Sequence, residues 1–156
     1  MKTILSILTL TLSLTLLIGC EALTGKEVAR LPINAVTIDN NNLLTKEATL
    51  DLKKGEEILI WSEMDFEYEG DVALRFKIEI AKNDSVLTII EIDPTEKNIS
   101  MSEVKTSFMN KTDWSFSGKN AEYKIKEDGT YTFKGLLVAS ENSTLKVNKA
   151  ELVLKK

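Results

Sequence analysis

The stretch 57-EILIWSEMDFEYEGDVALRFKIEIA-81 decides the fold. Its apolar residues recur at every second position. Ile58, Ile60, Met64, Phe66 and Tyr68 fall on even numbers before Gly70, and Val72, Leu74, Phe76, Ile78 and Ile80 follow on even numbers after it. A period of two puts one apolar face and one polar face on an extended strand. The expected elements are strands at 57–68 and 72–81. If Gly70 closed a hairpin, pairs summing to 140 would set Phe66 opposite Leu74 and Asp65 opposite Arg75, with Glu63 opposite Lys77. Apolar partners and opposite charges then align in one register, which is the expected pairing.

The same period runs outward from this core. Glu47–Leu52 alternates and ends at Lys53-Lys54-Gly55. Val86–Ile92 is a nearly continuous apolar run stopped by Asp93-Pro94, and it reads as a strand buried on both faces. Glu103–Met109 and Trp114–Ser117 flank Asn110-Lys111, with Ala121–Lys126 and Thr130–Ala139 beyond them. A helix over 102–110 is the weaker choice there, because Val, Thr and Phe are poor formers of a short isolated helix. Thr144–Leu154 closes the chain, with a phase slip between Val147 and Ala150 that predicts a bulge. Leu31–Ile38 is a faint first strand. Nine or ten short strands predict an all-β chain, an antiparallel β-sandwich of jelly-roll or immunoglobulin-like type, with a β-barrel as the alternative.

Composition limits the chemistry. The 156 residues carry a net charge of −4, no histidine and one cysteine, Cys20. His-based triads, His/Cys zinc sites and internal disulfides are excluded. Net acidity without a basic cluster points away from nucleic acid.

The N-terminus is built differently. Met1-Lys2 is followed by an apolar run from Ile4 to Ile18. That run is shorter than the roughly 20 residues of a bilayer-crossing helix, and its basic start marks a secretion signal. It ends Leu17-Ile18-Gly19-Cys20. In these residues the chain resembles the precursors of bacterial lipoproteins, whose lipobox places a Leu, a small or branched residue, Gly or Ala, then Cys. The resemblance covers Met1–Cys20 only. It implies that Leu17, Ile18 and Gly19 guide cleavage before Cys20. It also implies that the Cys20 sulfur takes a diacylglycerol, and in that family the new amine is often acylated too. Two or more acyl chains anchor firmly where one does not. Glu21 stands where Asp would mark inner-membrane retention, so the destination membrane stays open. The expected organisation is a signal peptide over 1–19, a lipidated tether over 20–30 and a β-sandwich over 31–156. The expected location is the cell envelope, on its extracytoplasmic side.

Four features beyond the anchor bear on function. The acidic run Glu63–Asp71 loosely suggests calcium, but the twelfth position counted from Asp65 is Phe76, where an EF-hand needs Glu. The favoured reading is a solvated strand face, with a structural calcium near Glu69-Gly70-Asp71 as the alternative. Lys126-Glu127-Asp128-Gly129-Thr130-Tyr131-Thr132-Phe133 resembles the tyrosine-corner region of immunoglobulin-like domains and the closing strands of jelly rolls similar to galactose-binding domains. Tyr131 and Phe133 are expected to pack inward. Trp61 lies on the odd, more polar face beside Glu63 and Asp65 and is the first candidate for a ligand platform, but Leu59 shares that face and burial is the commoner fate of a tryptophan. Ser102-Glu103-Val104-Lys105 and Ser143-Thr144-Leu145-Lys146 match S-x-x-K, but the companion motifs of serine-lysine enzymes are missing.

The expected function is therefore a binding or interaction module at the envelope, with an envelope protein or glycan as partner. It is expected to need no cofactor beyond the lipid on Cys20 and to have no catalytic residues. A carbohydrate-binding lipoprotein is the alternative, and a hydrolase using two carboxylates is the remote one.

Overall fold

A computed structural model describes residues 24–38 and 42–156. Nine strands run in order: β1 (Glu27–Pro32), β2 (Lys46–Leu52), β3 (Glu57–Glu69), β4 (Leu74–Lys82), β5 (Ser85–Ile92), β6 (Ile99–Phe108), β7 (Lys111–Lys124), β8 (Gly129–Ala139) and β9 (Lys146–Lys155). They form two antiparallel sheets. One has the order β1-β9-β3-β7-β6 and the other β2-β8-β4-β5. Both sheets keep open edges, so the fold is a β-sandwich and not a barrel.

The period-two stretches fold as expected, and their even-numbered side chains build the core. Ile58, Ile60, Met64 and Phe66 of β3 face Leu74, Phe76, Ile78 and Ile80 of β4 across the sandwich, all essentially inaccessible to water. Tyr131, Phe133 and Leu137 of β8 and Ala150, Leu152 and Leu154 of β9 complete it. Gly135 is the small residue that lets the sheets meet. A Cβ there would lie 2.8 Å from the Leu152 side chain. The expected bulge in the last strand is present. Asp65 pairs with Lys149 and Phe66 with Val147, which leaves Asn148 as the extra residue. Residues 99–108 are strand, not helix.

The expected hairpin through Gly70 does not form. β3 pairs with β7 and β9, while β4 pairs with β5 and β8, so the Gly70 connection crosses between sheets. The alternation was equally compatible with facing sheets, because an apolar face can meet another across the core as well as within a sheet. The charges find other partners. Glu63 pairs with Arg30 and Lys149, Glu67 with Lys111 and Lys146, Arg75 with Asp93, and Lys77 with Glu91.

Three further expectations need correction. β5 is not buried on both faces. It is an edge strand with Val86, Leu87 and Ile89 each about half exposed or more. Ala121–Lys126 is not a separate strand, since β7 runs unbroken from Lys111 to Lys124. Residues 27–30, expected in the tether, are already strand. β1 pairs with β9, and Lys26 and Lys156 exchange two backbone hydrogen bonds just outside it. Val28 and Ala29 reach the core, which gives this polar-looking segment its apolar reason to fold. The expected signal peptide, lipobox residues Leu17, Ile18 and Gly19, and Cys20 lie outside the described residues.

Candidate interaction edge

The sandwich has two lateral sides, and they differ. On one side β1 and β2 lie against each other across the two sheets. Their open faces are charged or polar. Lys46, Glu47 and Asp51 line β2, and Glu27 and Arg30 line β1. Charged residues on an edge strand discourage pairing with another chain.

On the other side are β5 and β6, and no comparable packing joins them. Every residue of β6, from Ile99 to Phe108, is exposed. Its apolar members are Ile99, Met101, Val104 and Phe108, with Val104 at 64 % and Phe108 at 73 % relative exposure. Glu103 and Lys105 are its only charges. β5 adds Val86, Leu87 and Ile89 and the single charge Glu91. Two bare edges with apolar side chains and few charges are a template for an added strand.

The residues beneath hold this side in place. Phe116 of β7 points inward opposite Glu103, and Trp114 sits opposite Lys105. The Trp114 indole N–H donates to Glu103 Oε1 at 2.9 Å, and Lys105 Nζ rests 3.7 Å from the Trp114 ring. Lys97 Nζ lies 3.8 Å over Phe116 and pairs with Glu103 at 3.2 Å. The Lys97 ammonium and the Trp114 indole hold the Glu103 carboxyl below its ordinary pKa. Aromatic rings Phe66, Trp114 and Phe116 pack edge-on or tilted behind it, and Tyr68 stacks on Phe66. Gly118 allows β6 to start where it does, because a Cβ there would meet the Ile99 carbonyl at 2.7 Å.

The candidate platform is not exposed. Trp61 is fully buried. It does lie on the odd face, paired in register with Val153 and Lys119, but that face is covered at this end. Gly25 lies against Leu59 and Lys155, and Lys155 Nζ sits 4.2 Å from the Trp61 ring. Among the described residues the Trp61 indole N–H has no hydrogen-bond partner.

The acidic run is likewise engaged. Arg30 bridges Glu27, Glu63 and Glu151, and Lys149 reaches Glu63 at 2.5 Å. Arg30 and Lys149 hold the Glu63 carboxyl down at about 2. The Glu69 and Asp71 carbonyls, where a calcium was the alternative, accept hydrogen bonds from the Asn142 amide at 2.9 and 3.0 Å. Tyr131 packs inward as expected, and its hydroxyl donates to the Glu127 carbonyl at 2.9 Å. A tyrosine corner makes a hydrogen bond of the same kind, back to the backbone a few residues upstream.

A concavity of about 560 Å³ lies beside Val36, Ile38, Ala139, Glu141, Asn142 and Leu145. Among the described residues its walls carry one ionisable side chain, Glu141. Comparison with protein-family models, curated proteins and solved structures finds no match to the chain.

Sequence reasoning missed the β5–β6 side. The Val86–Ile92 run looked too apolar to be exposed, and β6 looked like any alternating strand. The available signal was the scarcity of charge on both.

Proposed function

We propose that this chain is a membrane-anchored extracytoplasmic lipoprotein that acts as an interaction module at the cell envelope. The anchor is the lipid on Cys20, and the partner is a protein that adds a strand to the β5–β6 side. No catalytic group is assigned, and binding is the whole activity. The observation that carries the partner half of this reading is β6, exposed along its entire length at an unguarded edge. Main-chain hydrogen bonds supply affinity in such an addition, and the alternate side chains supply selectivity. The anchor half rests on Leu17-Ile18-Gly19-Cys20. The glycan alternative has lost the exposed indole on which it stood.

The test is photo-crosslinking in cells, with a photoreactive residue placed in turn at Val104, Phe108, Ile89 and Thr49. Thr49 is exposed on β2 at the guarded side and serves as the control. Adducts to protein are expected at the first three positions and not at Thr49. Adducts at none of the four, or equally at all four, would overturn the assignment of this side.

A further inference from the structure

We infer that the strand added to β6 is the β6 of a second copy of this chain, antiparallel about a twofold axis through Val104. The inference rests on the proposal above that the β5–β6 side is the interaction surface, and it names the partner there.

A twofold axis perpendicular to the sheet keeps inner-face residues opposite inner-face residues. Paired residue numbers must then sum to an even value. Glu103 and Lys105 share the face that carries Trp114 and Phe116, while Val104 lies opposite Ser115 on the outer face. A sum of 206 sets Glu103 against Glu103, and a sum of 210 sets Lys105 against Lys105. Like charges directly opposite are unfavourable. A sum of 208 sets Glu103 of each copy against Lys105 of the other, twice. It places Val104 against Val104 on the axis and Ser102 against Thr106. The two charges on the strand are thus spaced to pair with their own copies.

The geometry supports this register. β6 is regular from Ser102 to Phe108, since its one irregularity lies between Ser100 and Ser102. The five residues Ser102–Thr106 therefore form an undistorted central ladder. Lys105 has a ring contact but no carboxylate partner among the described residues. Trp114 and Lys97 hold Glu103 Oε1, and Oε2 accepts only a long 3.5 Å hydrogen bond from Ser100 Oγ, so the carboxylate is fixed in place at the edge. The Val104 side chains, exposed in one copy, cover each other in two. The result is one continuous sheet of two five-stranded halves.

The full chain in detergent, studied by sedimentation equilibrium, tests the idea. The wild type is expected to dimerise. Lys105→Glu should weaken the dimer about tenfold, since two attractive pairs become two repulsive ones. Glu103→Lys should act in the same direction, and Glu103→Lys with Lys105→Glu should restore the dimer. Because Glu103 also holds Trp114, folding of each variant is checked by circular dichroism. Lys105→Glu and Val104→Cys keep the test decisive if Glu103→Lys fails to fold. Val104→Cys should oxidise to a covalent dimer, beyond any formed by the wild type through Cys20, whereas Thr106→Cys should not. A wild type that stays monomeric, a dimer indifferent to Lys105→Glu, or no covalent dimer from Val104→Cys overturns the inference. If the purified chain is monomeric but Val104 still crosslinks in cells to a different protein, the second copy is wrong and the interaction side stands. If Val104, Phe108 and Ile89 all crosslink to nothing, both fall.

Discussion

The Ser62 hydroxyl donates a 2.7 Å hydrogen bond to Asn120 Oδ1, and this pair joins the middle of β3 to the loop that closes the β5–β6 side. Ser62 is fully buried in the sheet. Asn120 is the bulge residue of β7, between Ala121 opposite Ile60 and Lys119 opposite Trp61. Its amide nitrogen reaches the carbonyls of Asp93, Pro94 and Glu96 at 3.0 to 3.3 Å. Asn120→Leu leaves the Ser62 hydroxyl buried without its acceptor and the loop carbonyls without their donor. A loss of about 2–3 kcal/mol is expected in urea unfolding, against about 1 kcal/mol for Ser62→Ala. Equal losses for the two variants would show that the loop contacts contribute nothing.

Gly118→Ala probes how β6 is seated. The added methyl meets the Ile99 carbonyl and the Lys97 stem. Backbone cannot yield as a flexible side chain does, so β6 should detach at its beginning or the domain should lose about 1–3 kcal/mol. Hydrogen exchange resolves the two outcomes, with faster exchange of the Ser100 and Ser102 amides expected first. Unchanged exchange and stability would mean that the strand start is not held by this contact.

Acid sensitivity should trace to Arg30 and Glu63. The folded-state pKa of Glu63, about 2, lies below its ordinary value of 4.5. Its contribution to stability is therefore complete above about 4.5 and is lost as pH falls toward 2. Glu63→Gln should be less stable than the wild type at pH 7, and the gap should narrow through that window. Urea unfolding at pH 7, 4 and 2 measures it, and a gap independent of pH would remove the carboxylate from the explanation.

Cells fed labelled palmitate should label the chain, and Cys20→Ala should abolish both the label and membrane attachment. Equal membrane retention of the variant would overturn the anchor.

Much of the fold was legible because period two is a strong physical signal. It gave the strands from Glu57 to Ala81, the inward packing of Tyr131 and Phe133, and the slip at Asn148. What it cannot encode is which sheet a strand joins. Asp65 could be matched to Arg75 on paper because any acidic face finds a basic one somewhere. The bases that neutralise Glu63 come from Arg30 and Lys149, far away in sequence. Nor does alternation say whether a second face is covered. Trp61 has the parity of a surface residue and is buried, while Val86, Leu87 and Ile89 have core composition and stand at an edge. The candidate site was hidden for that same reason. An edge is a property of sheet order, and sheet order is fixed by long-range pairs such as β3 with β9.

That order also sets a mechanical consequence. β1, next to where the chain arrives from its N-terminal side, and β6 occupy opposite edges of one sheet, four strand spacings apart, or about 19 Å. Tension between a hold at residue 26 and a grip on β6 must cross every rung of that sheet. The rungs are unequal, since six-residue β1 zips onto β9 while thirteen-residue β3 is matched along its whole length by β7. The seam nearest residue 26, β1 on β9, is also the shortest of the four, with five paired residues, so a load taken there bears on it first.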